Sequence, residues 1–271
     1  MELHLIGTGT CTPVIERTPA CYFLDMGPRK IIIDPGPGAV NRIKKHGLDP
    51  FSASAIFLSH HHLDHCADLL PYLFSYKYCS MAQSAQAATS SSSIDVRKLL
   101  KPRPDPLIVA PEGFKKIYAG LMEVFGDMIH SDEYRVKIEE VLRTEWQWPD
   151  GLRFRAAPMA HFITAVGYRF QKPDGPSLAY SGDTGLCPEL VDLATGADAL
   201  LVECALPDNL RMDGHMCPSD IARAAIDSGV KKLILTHFYP QVNVKEAVDT
   251  IRSAGYQGEI IAGEDGMTVT I

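Results

Sequence analysis

Short apolar runs bounded by glycine and proline recur along the first part of the chain. The runs are Leu3–Gly7, Cys21–Met26 and Lys30–Ile33, and β-branched residues dominate the last of them. Runs of this kind are typical of strands rather than helices. The fold is therefore predicted to begin with β-structure.

Further along, strand-like apolar runs alternate with segments of helical periodicity. The strand-like runs are Ala55–Ser59, Leu107–Ala110, Ser177–Ser181, Ala199–Glu203 and Lys232–Thr236, and the helical segments lie near 112–126, 218–228 and 244–254. This alternation favours sheets flanked by helices, an α/β layered architecture. The 271 residues suit one large domain or two small ones, and we predict a single domain over residues 1–271.

The segment from Cys79 to Pro106 departs from this pattern. Ser84–Ser93 has few large apolar side chains, and prolines recur between positions 101 and 106. We predict a surface insertion at about 79–106. A passive loop is the preferred interpretation, and a lid above an active site is the alternative.

Composition and charge limit the classes of function. Hydrophobic residues make up 46% of the chain and charged residues 22%, as in an ordinary globular protein. The 26 Lys and Arg residues against 33 Asp and Glu residues give a formal net charge of −7, which repels a polyanion at long range. Extended nucleic-acid binding is therefore not expected.

Cysteine usage and the start of the chain bear on location. Seven cysteines, an odd number without a C-x-x-C pair, indicate reduced thiols in a cytoplasm. The chain lacks the basic start and apolar run of a signal peptide, and no apolar stretch approaches the ~20 residues of a membrane span. We predict a cytoplasmic protein without a membrane partner, and both a monomer and a homodimer remain open.

The string S-H-H-H-L-D-H, directly after a strand-like run, holds the densest set of ligand side chains. Its four candidate metal ligands are His60, His62, Asp64 and His65. In an extended chain His60 and His62 fall on the same face and His61 points away, while the turn into a helix can aim Asp64 and His65 at a second ion. These side chains suit zinc, and also iron, manganese or nickel. A polar loop that binds metal only adventitiously is the alternative.

The pattern H-x-H-x-D-H formed by these four residues resembles the hallmark motif of the metallo-β-lactamase superfamily. The later motifs of that family appear in order as His161 in P-M-A-H, Asp183 in Y-S-G-D-T and His237 in L-T-H-F. Together the matches span most of the chain. The resemblance implies a four-layer αββα sandwich with metals at the strand ends.

By this resemblance the chain binds two divalent metal ions, with Zn²⁺ as first choice and Mn²⁺, Fe²⁺ or Ni²⁺ as alternatives. One ion would take His60, His62 and His161, the other would take Asp64, His65 and His237, and Asp183 would bridge them. Two ions about 3.5–4 Å apart can activate a shared water and stabilise charge on the reacting oxygens, so the implied reaction is hydrolysis. Asp64 would also orient or deprotonate that water.

Glu203 and His215 bear on the substrate. The pair resembles ribonuclease Z and related phosphodiesterases, in which a histidine ahead of the helix leading to L-T-H-F contacts the phosphate or protonates the leaving oxygen, supported by an acidic residue. The predicted catalytic residues are therefore Asp64, His215 and Glu203. A histidine that only bonds nearby backbone is the alternative for His215.

Departures from ribonuclease Z argue against tRNA processing. Met216-Cys217 replaces the usual Ser-Thr, and Tyr239-Pro240-Gln241 replaces Ser-Pro-Arg and removes a cation. Only 21 residues separate His161 from Asp183, which leaves no room for the long tRNA-clamping arm. Asp68 also stands where glycine is common.

The predicted function is a metal-dependent phosphodiesterase that acts on small or nucleotide phosphodiesters. A lactone, ester or thioester hydrolase on the same scaffold is the first alternative, because the metal ligands are indifferent to the electrophile. A non-catalytic metal-binding domain is disfavoured, because every expected ligand is present.

Overall fold

The computed structural model describes residues 1–87, 104–132 and 134–271. The described strands are β1 (Glu2–Gly7), β2 (Cys21–Asp25), β3 (Lys30–Ile33), β4 (Ala55–Phe57), β5 (Leu107–Pro111), β6 (Lys137–Val141), β7 (Thr144–Gln147), β8 (Arg153–Pro158), β9 (Val166–Gln171), β10 (Ser177–Tyr180), β11 (Ala199–Glu203), β12 (Lys232–Thr236), β13 (Glu259–Ala262) and β14 (Thr268–Thr270). The described helices are α1 (Ala39–Lys45), α2 (Leu63–Cys66), α3 (Leu69–Ala87), α4 (Phe114–Ile129), α5 (Pro188–Ala194), α6 (Pro218–Ser228) and α7 (Val244–Ser253).

The described strands form two sheets of seven strands each. The first sheet has the order β14-β1-β2-β3-β4-β5-β6, and the second has the order β13-β12-β11-β10-β9-β8-β7. Strands β3 to β6 are parallel, as are strands β10 to β13, and the rest of each sheet is antiparallel. Parallel strands bring their carboxyl ends to one edge, so the loops after them can meet there.

An aromatic-rich core joins the two sheets. Phe57 of β4 packs edge-on against four aromatic rings on or between strands β7 to β9, at centroid distances of 5.0–6.2 Å. These rings belong to Trp148, Phe154, Tyr168 and Phe170. Two further apolar clusters lie on the outer faces, one under α1, α3 and α4 and one under α5, α6 and α7. The layers are therefore helix, sheet, sheet and helix, and the predicted αββα sandwich is confirmed.

Each predicted strand and helix corresponds to an element of the structure, with its ends shifted by a few residues. Helix α3 extends through Ala87 and so occupies the start of the predicted insertion at 79–106. Residues 88–103 of that insertion lie outside the described residues. In the part of the chain that is described, no helix combines the length and apolar character that a membrane crossing requires.

Asp265, in the turn before β14, ties the end of the chain to the N-terminal loops. Its carboxylate accepts five hydrogen bonds of 2.6–2.8 Å, from the backbone and side chains of Thr8 and Thr18 and from Arg42. The carbonyl of Thr8 accepts in turn from the backbone N–H of Phe238 at 2.9 Å. The network therefore also fixes the loop that follows β12.

Asp265→Ala should lower the free energy of unfolding by about 3 kcal/mol, because it leaves charged and backbone donors without their acceptor in a part-buried site. Urea unfolding followed by circular dichroism measures the loss. Asp249→Ala is the matched control, since Asp249 is an exposed helix carboxylate, and its effect should stay within about 0.5 kcal/mol. Equal effects of the two variants would mean that the network contributes little.

Candidate metal centre

Seven of the predicted site residues meet at one edge of the sandwich. His60 and His62 lie on the loop after β4, and Asp64 and His65 lie in helix α2. The remaining three follow strands of the second sheet and are His161 after β8, Asp183 after β10 and His237 after β12. The structure therefore gathers residues of both sheets in one cluster.

The first group of candidate ligand atoms contains His60, His62, His161 and Asp183. His62 Nδ1 lies 3.0 Å from His60 Nε2 and 3.3 Å from His161 Nε2. His60 Nε2 lies 3.8 Å from Asp183 Oδ2. Two ligands at about 2.1 Å from a tetrahedral ion are about 3.4 Å apart, so these spacings fit one metal ion.

The second group contains Asp64, His65 and His237. The Nε2 atoms of His65 and His237 are 3.1 Å apart, and Asp64 Oδ2 lies 3.8 and 3.5 Å from them. Asp183 Oδ1 lies 3.4 Å from His65 Nε2 and 3.5 Å from His237 Nε2. The two oxygens of Asp183 thus face the two groups, one oxygen to each.

Hydrogen bonds to the opposite ring nitrogens orient three of these histidines. His161 Nδ1 lies 2.8 Å from the Gly214 carbonyl, and His65 Nδ1 lies 2.8 Å from Asp34 Oδ2. His60 Nδ1 lies 2.9 Å from the Ser59 hydroxyl, which itself donates to Asp34. When each Nδ1 is the donor, each Nε2 presents a lone pair to the cluster.

The nitrogen and oxygen atoms of the cluster are better placed to bind divalent cations than to hydrogen-bond to one another. Facing lone pairs of imidazole nitrogens cannot hydrogen-bond to each other, and Asp183 Oδ1 is buried without a hydrogen-bond partner among the described residues. Burial would raise the pKa of Asp183, but the charges of His237 and His65 outweigh burial and hold the pKa well below its usual range. The cluster therefore combines carboxylates with imidazoles, the side chains that such ions prefer as ligands once each imidazole nitrogen has given up its proton to make room for the ion.

Asp34 is a site residue that sequence reasoning missed. Its fully buried carboxylate accepts from Ser59 N at 2.6 Å, Ser59 Oγ at 2.5 Å and the Tyr180 hydroxyl at 2.6 Å, besides its bond to His65. A carboxylate behind a candidate ligand fixes the orientation of that imidazole. The only signal in the sequence was that an acidic residue directly follows β3. The glycines and prolines after it are typical of an ordinary turn, so the residue did not stand out.

Two close approaches of the backbone require glycine. A Cβ on Gly36 would lie 2.1 Å from the Asp64 carbonyl oxygen, and a Cβ on Gly182 would lie 2.7 Å from the Ser59 Cβ. Gly36 thus lets the turn after β3 reach helix α2, and Gly182 lets the loop that carries Asp183 reach the first sheet. Both contacts bring together segments that carry candidate ligands or their hydrogen-bond partners.

His215 and Glu203 form a hydrogen-bonded pair beside the cluster. His215 Nδ1 lies 3.0 Å from Glu203 Oε2 and 3.9 Å from Asp183 Oδ2. Glu203 is buried, and its other oxygen accepts from the backbone N–H of Thr184 at 2.5 Å. Burial would lower the pKa of His215, but the hydrogen bond and charge of Glu203 raise it above its ordinary value. No hydrogen bond from a described residue reaches His215 Nε2, so this nitrogen can contact a substrate.

Three of the residues that depart from ribonuclease Z, Met216, Cys217 and Asp68, have structural roles of their own. Met216 is fully buried under helices α5 to α7, and Cys217 Sγ contacts the carboxylates of Asp208 and Asp220 at 2.7 and 2.9 Å at the start of α6. Asp68 accepts from Gly38 N at 3.0 Å and from Val40 N at 2.8 Å, so it caps helix α1. Neither Met216 nor Cys217 offers a hydroxyl group to the cluster.

His61 is the histidine of the string that stays outside the cluster, as predicted. Its side chain is part-buried, and it belongs to neither group of ligand atoms. The alternation of an extended chain explains this placement, because neighbouring side chains point to opposite sides.

A four-layer αββα sandwich with histidines and aspartates gathered at one edge defines a class of protein, the metal-dependent hydrolases of the metallo-β-lactamase fold. Family comparison agrees. The family described as "Beta-lactamase superfamily domain" matches residues 93–238, and the family described as "Metallo-beta-lactamase superfamily" matches residues 15–131. The chain belongs to the metallo-beta-lactamase superfamily, and divalent metal binding follows from that membership.

Individual relatives agree with this placement. A ribonuclease Z from Mycobacterium bovis is 26% identical over 292 aligned positions, covering 98% of this chain and 96% of the relative. The metallo-beta-lactamase fold protein YhfI from Bacillus subtilis has a TM-score of 0.77 at 18% identity, covering 99% of this chain and 98% of YhfI. The short form of human tRNase Z has a TM-score of 0.74 at 20% identity, covering 100% of this chain and 99% of the human protein. The two solved structures share the fold.

Proposed function

We propose that the protein is a phosphodiesterase that cleaves small or nucleotide phosphodiesters with two divalent ions, zinc being the first choice. The observation that carries the proposal is the His215–Glu203 pair, 3.0 Å apart beside the ligand cluster. A hydrolase of easily cleaved esters has less need of a proton donor, whereas the alkoxide that leaves a phosphodiester has to be protonated. The ribonuclease Z name of a relative supports the same substrate class.

The residues around the cluster have separate tasks in this proposal. Two bound ions would supply a water of lowered pKa and positive charge for the reacting oxygens. Asp64, with 11% of its side chain exposed, would orient or deprotonate that water. His215 would steady the phosphate or donate a proton from Nε2 to the leaving oxygen, while Glu203 holds the imidazole in place.

Small substrates fit the chain better than tRNA. The formal net charge of −7 repels a polyanion, and the interval between His161 and Asp183 holds β9 and β10 with short connections. A clamping arm has no place in that interval. The proposal therefore restricts the substrate to phosphodiesters that fit within the loops around the cluster.

A lactone, ester or thioester hydrolase is the second candidate. The observation in its favour is the chemistry of the positions that departed from ribonuclease Z. Met216 is buried, the thiol of Cys217 is engaged at the start of α6, and Gln241 is uncharged. Met216, Cys217 and Gln241 thus supply neither a hydroxyl group nor a cation for a phosphate, although the neighbouring Tyr239 carries a hydroxyl group, 3.5 Å from Cys11 Sγ.

A substrate screen separates the two candidates. The metal-loaded protein should cleave an aryl phosphodiester and a cyclic nucleotide, but should process precursor tRNA poorly, because the interval between His161 and Asp183 has no room for an arm and the formal net charge is −7. Chelator-treated protein is the control and should lose the activity. Efficient, site-specific tRNA trimming would overturn the restriction to small substrates. Hydrolysis of lactones or thioesters without turnover of any phosphodiester would replace the proposal by its alternative.

A further inference from the structure

Large apolar side chains are exposed beside the ligand cluster. Phe162 directly follows His161 and is 61% exposed, while Leu63 lies between His62 and Asp64 and is 74% exposed. Apolar and aromatic side chains beside a few convergent polar groups are the usual lining of a ligand-binding site.

Phe162 is placed next to the reacting groups rather than on a free loop. Its ring centroid lies 5.3 Å from that of His161 and 6.1 Å from that of His215. Gly214, at a φ of 77°, packs so closely that an added Cβ would lie 3.1 Å from the Phe162 ring. The ring is therefore held between a candidate metal ligand and the histidine that we assign to the leaving oxygen.

The orientation of the ring leaves a face for stacking. The planes of Phe162 and His161 meet at 55°, and those of Phe162 and His215 meet at 63°, so neither histidine stacks on the phenyl face. An exposed phenyl face beside a reaction centre offers its largest contact to another flat ring.

We propose that Phe162 is the stacking platform for a planar aromatic part of the substrate, a nucleobase or an aryl group, next to the leaving oxygen. The inference rests on the proposed phosphodiesterase function and narrows its substrate class. Stacking of a base on an aromatic side chain does not depend on the base sequence, since every base has a flat face. Phe162 is thus a specificity-determining residue, and recognition needs no basic surface.

The test compares phosphodiesters that share a methyl ester and differ in the leaving group, which is either aryl or fluoroalkyl of similar acidity. Phe162→Ala should lower kcat/KM for the aryl diester about tenfold, equivalent to ~1.4 kcal/mol, and should leave the fluoroalkyl diester within about threefold. Phe162→Tyr keeps the flat ring and should behave as the wild type. Val124→Ala is the control, because it removes a side chain that is 72% exposed on helix α4. It should leave kcat/KM unchanged for both diesters.

Binding gives a second readout that does not depend on turnover. Calorimetry on the metal-loaded protein should show that Phe162→Ala weakens adenosine 5′-monophosphate about tenfold but leaves ribose 5-phosphate unchanged. Equal losses on aryl and fluoroalkyl diesters, with unchanged nucleotide affinity, would overturn the stacking platform and leave the phosphodiesterase standing. If the wild-type protein hydrolyses no diester, the proposed phosphodiesterase function is wrong, and the stacking role of Phe162 is wrong with it.

Discussion

Replacing His215 with alanine should lower kcat on phosphodiesters with poor leaving groups by about 10²–10⁴-fold while the protein keeps its metal. The imidazole lies 3.0 Å from Glu203 and 3.9 Å from Asp183 but belongs to neither group of ligand atoms. Its loss should therefore remove proton donation without removing a ligand. Steady-state kinetics together with elemental analysis measure both effects.

The choice of substrate separates proton donation from a general loss of structure. A nitrophenolate leaves with little help, so the loss on an activated diester should be smaller than on an alkyl diester. Glu203→Gln should act in the same direction, and the double variant should lose less than the product of the single losses, as expected for a working pair. His130→Ala, at a histidine whose side chain is 62% exposed, is the control. If His215→Ala keeps its metal and full activity on every diester, His215 merely bonds to its surroundings ahead of helix α6.

The wild-type protein should bind two divalent ions per chain, and Asp183→Asn should reduce this to about one ion. The carboxylate of Asp183 faces both groups, at 3.4–3.5 Å from His65 and His237 and 3.8 Å from His60. Asparagine keeps the shape but offers one oxygen and no charge. Loss of a ligand that is shared by two ions should also reduce hydrolysis by at least about 100-fold, since weaker perturbations of metal sites already have effects of 10–100-fold.

Elemental analysis after reconstitution and gel filtration measures the metal content. Asp174→Asn is the matched control, because Asp174 is exposed and its φ of 46° is one that asparagine tolerates. No more than one ion in the wild-type protein, with Asp183→Asn unchanged, would refute the two-ion arrangement.

The strands that the sequence predicts are those in which a run of apolar residues corresponds to a strand buried on both faces. Strands β3, β11 and β12 are apolar runs because helices and the opposite sheet cover both of their faces. Strands β6 and β7 were missed because each lies at an edge of its sheet and carries charged side chains, as in K-I-E-E-V. Strand β8 was missed for a similar reason, since its arginines alternate with buried residues.

In the candidate site too, residues with a local sequence pattern were predicted and residues without one were missed. His60, His62, Asp64 and His65 are close in sequence, so their spacing alone suggested shared ions. Asp34 acts through His65, 31 positions away, and a single buried carboxylate has no periodic signal. The capping of α1 by Asp68 was equally hidden, because the donors that it accepts from are 28 and 30 positions away. Long-range hydrogen bonds are set by the fold and leave no local pattern in the sequence.

The placement of the candidate ligands on segments that follow strands of both sheets would link metal supply to tolerance of mutation. An ion that is bound by the native state alone adds its binding free energy to folding, about 2.7 kcal/mol when the free metal concentration is 100 times the dissociation constant. A core substitution such as Phe57→Leu loosens the contact between the sheets and lowers the free energy of unfolding. The free energy of metal binding can offset this loss. The same variant would then stay folded in a metal-replete cell and unfold in a starved one. Which sequences this fold can accept during evolution thus depends on the availability of metal in its surroundings.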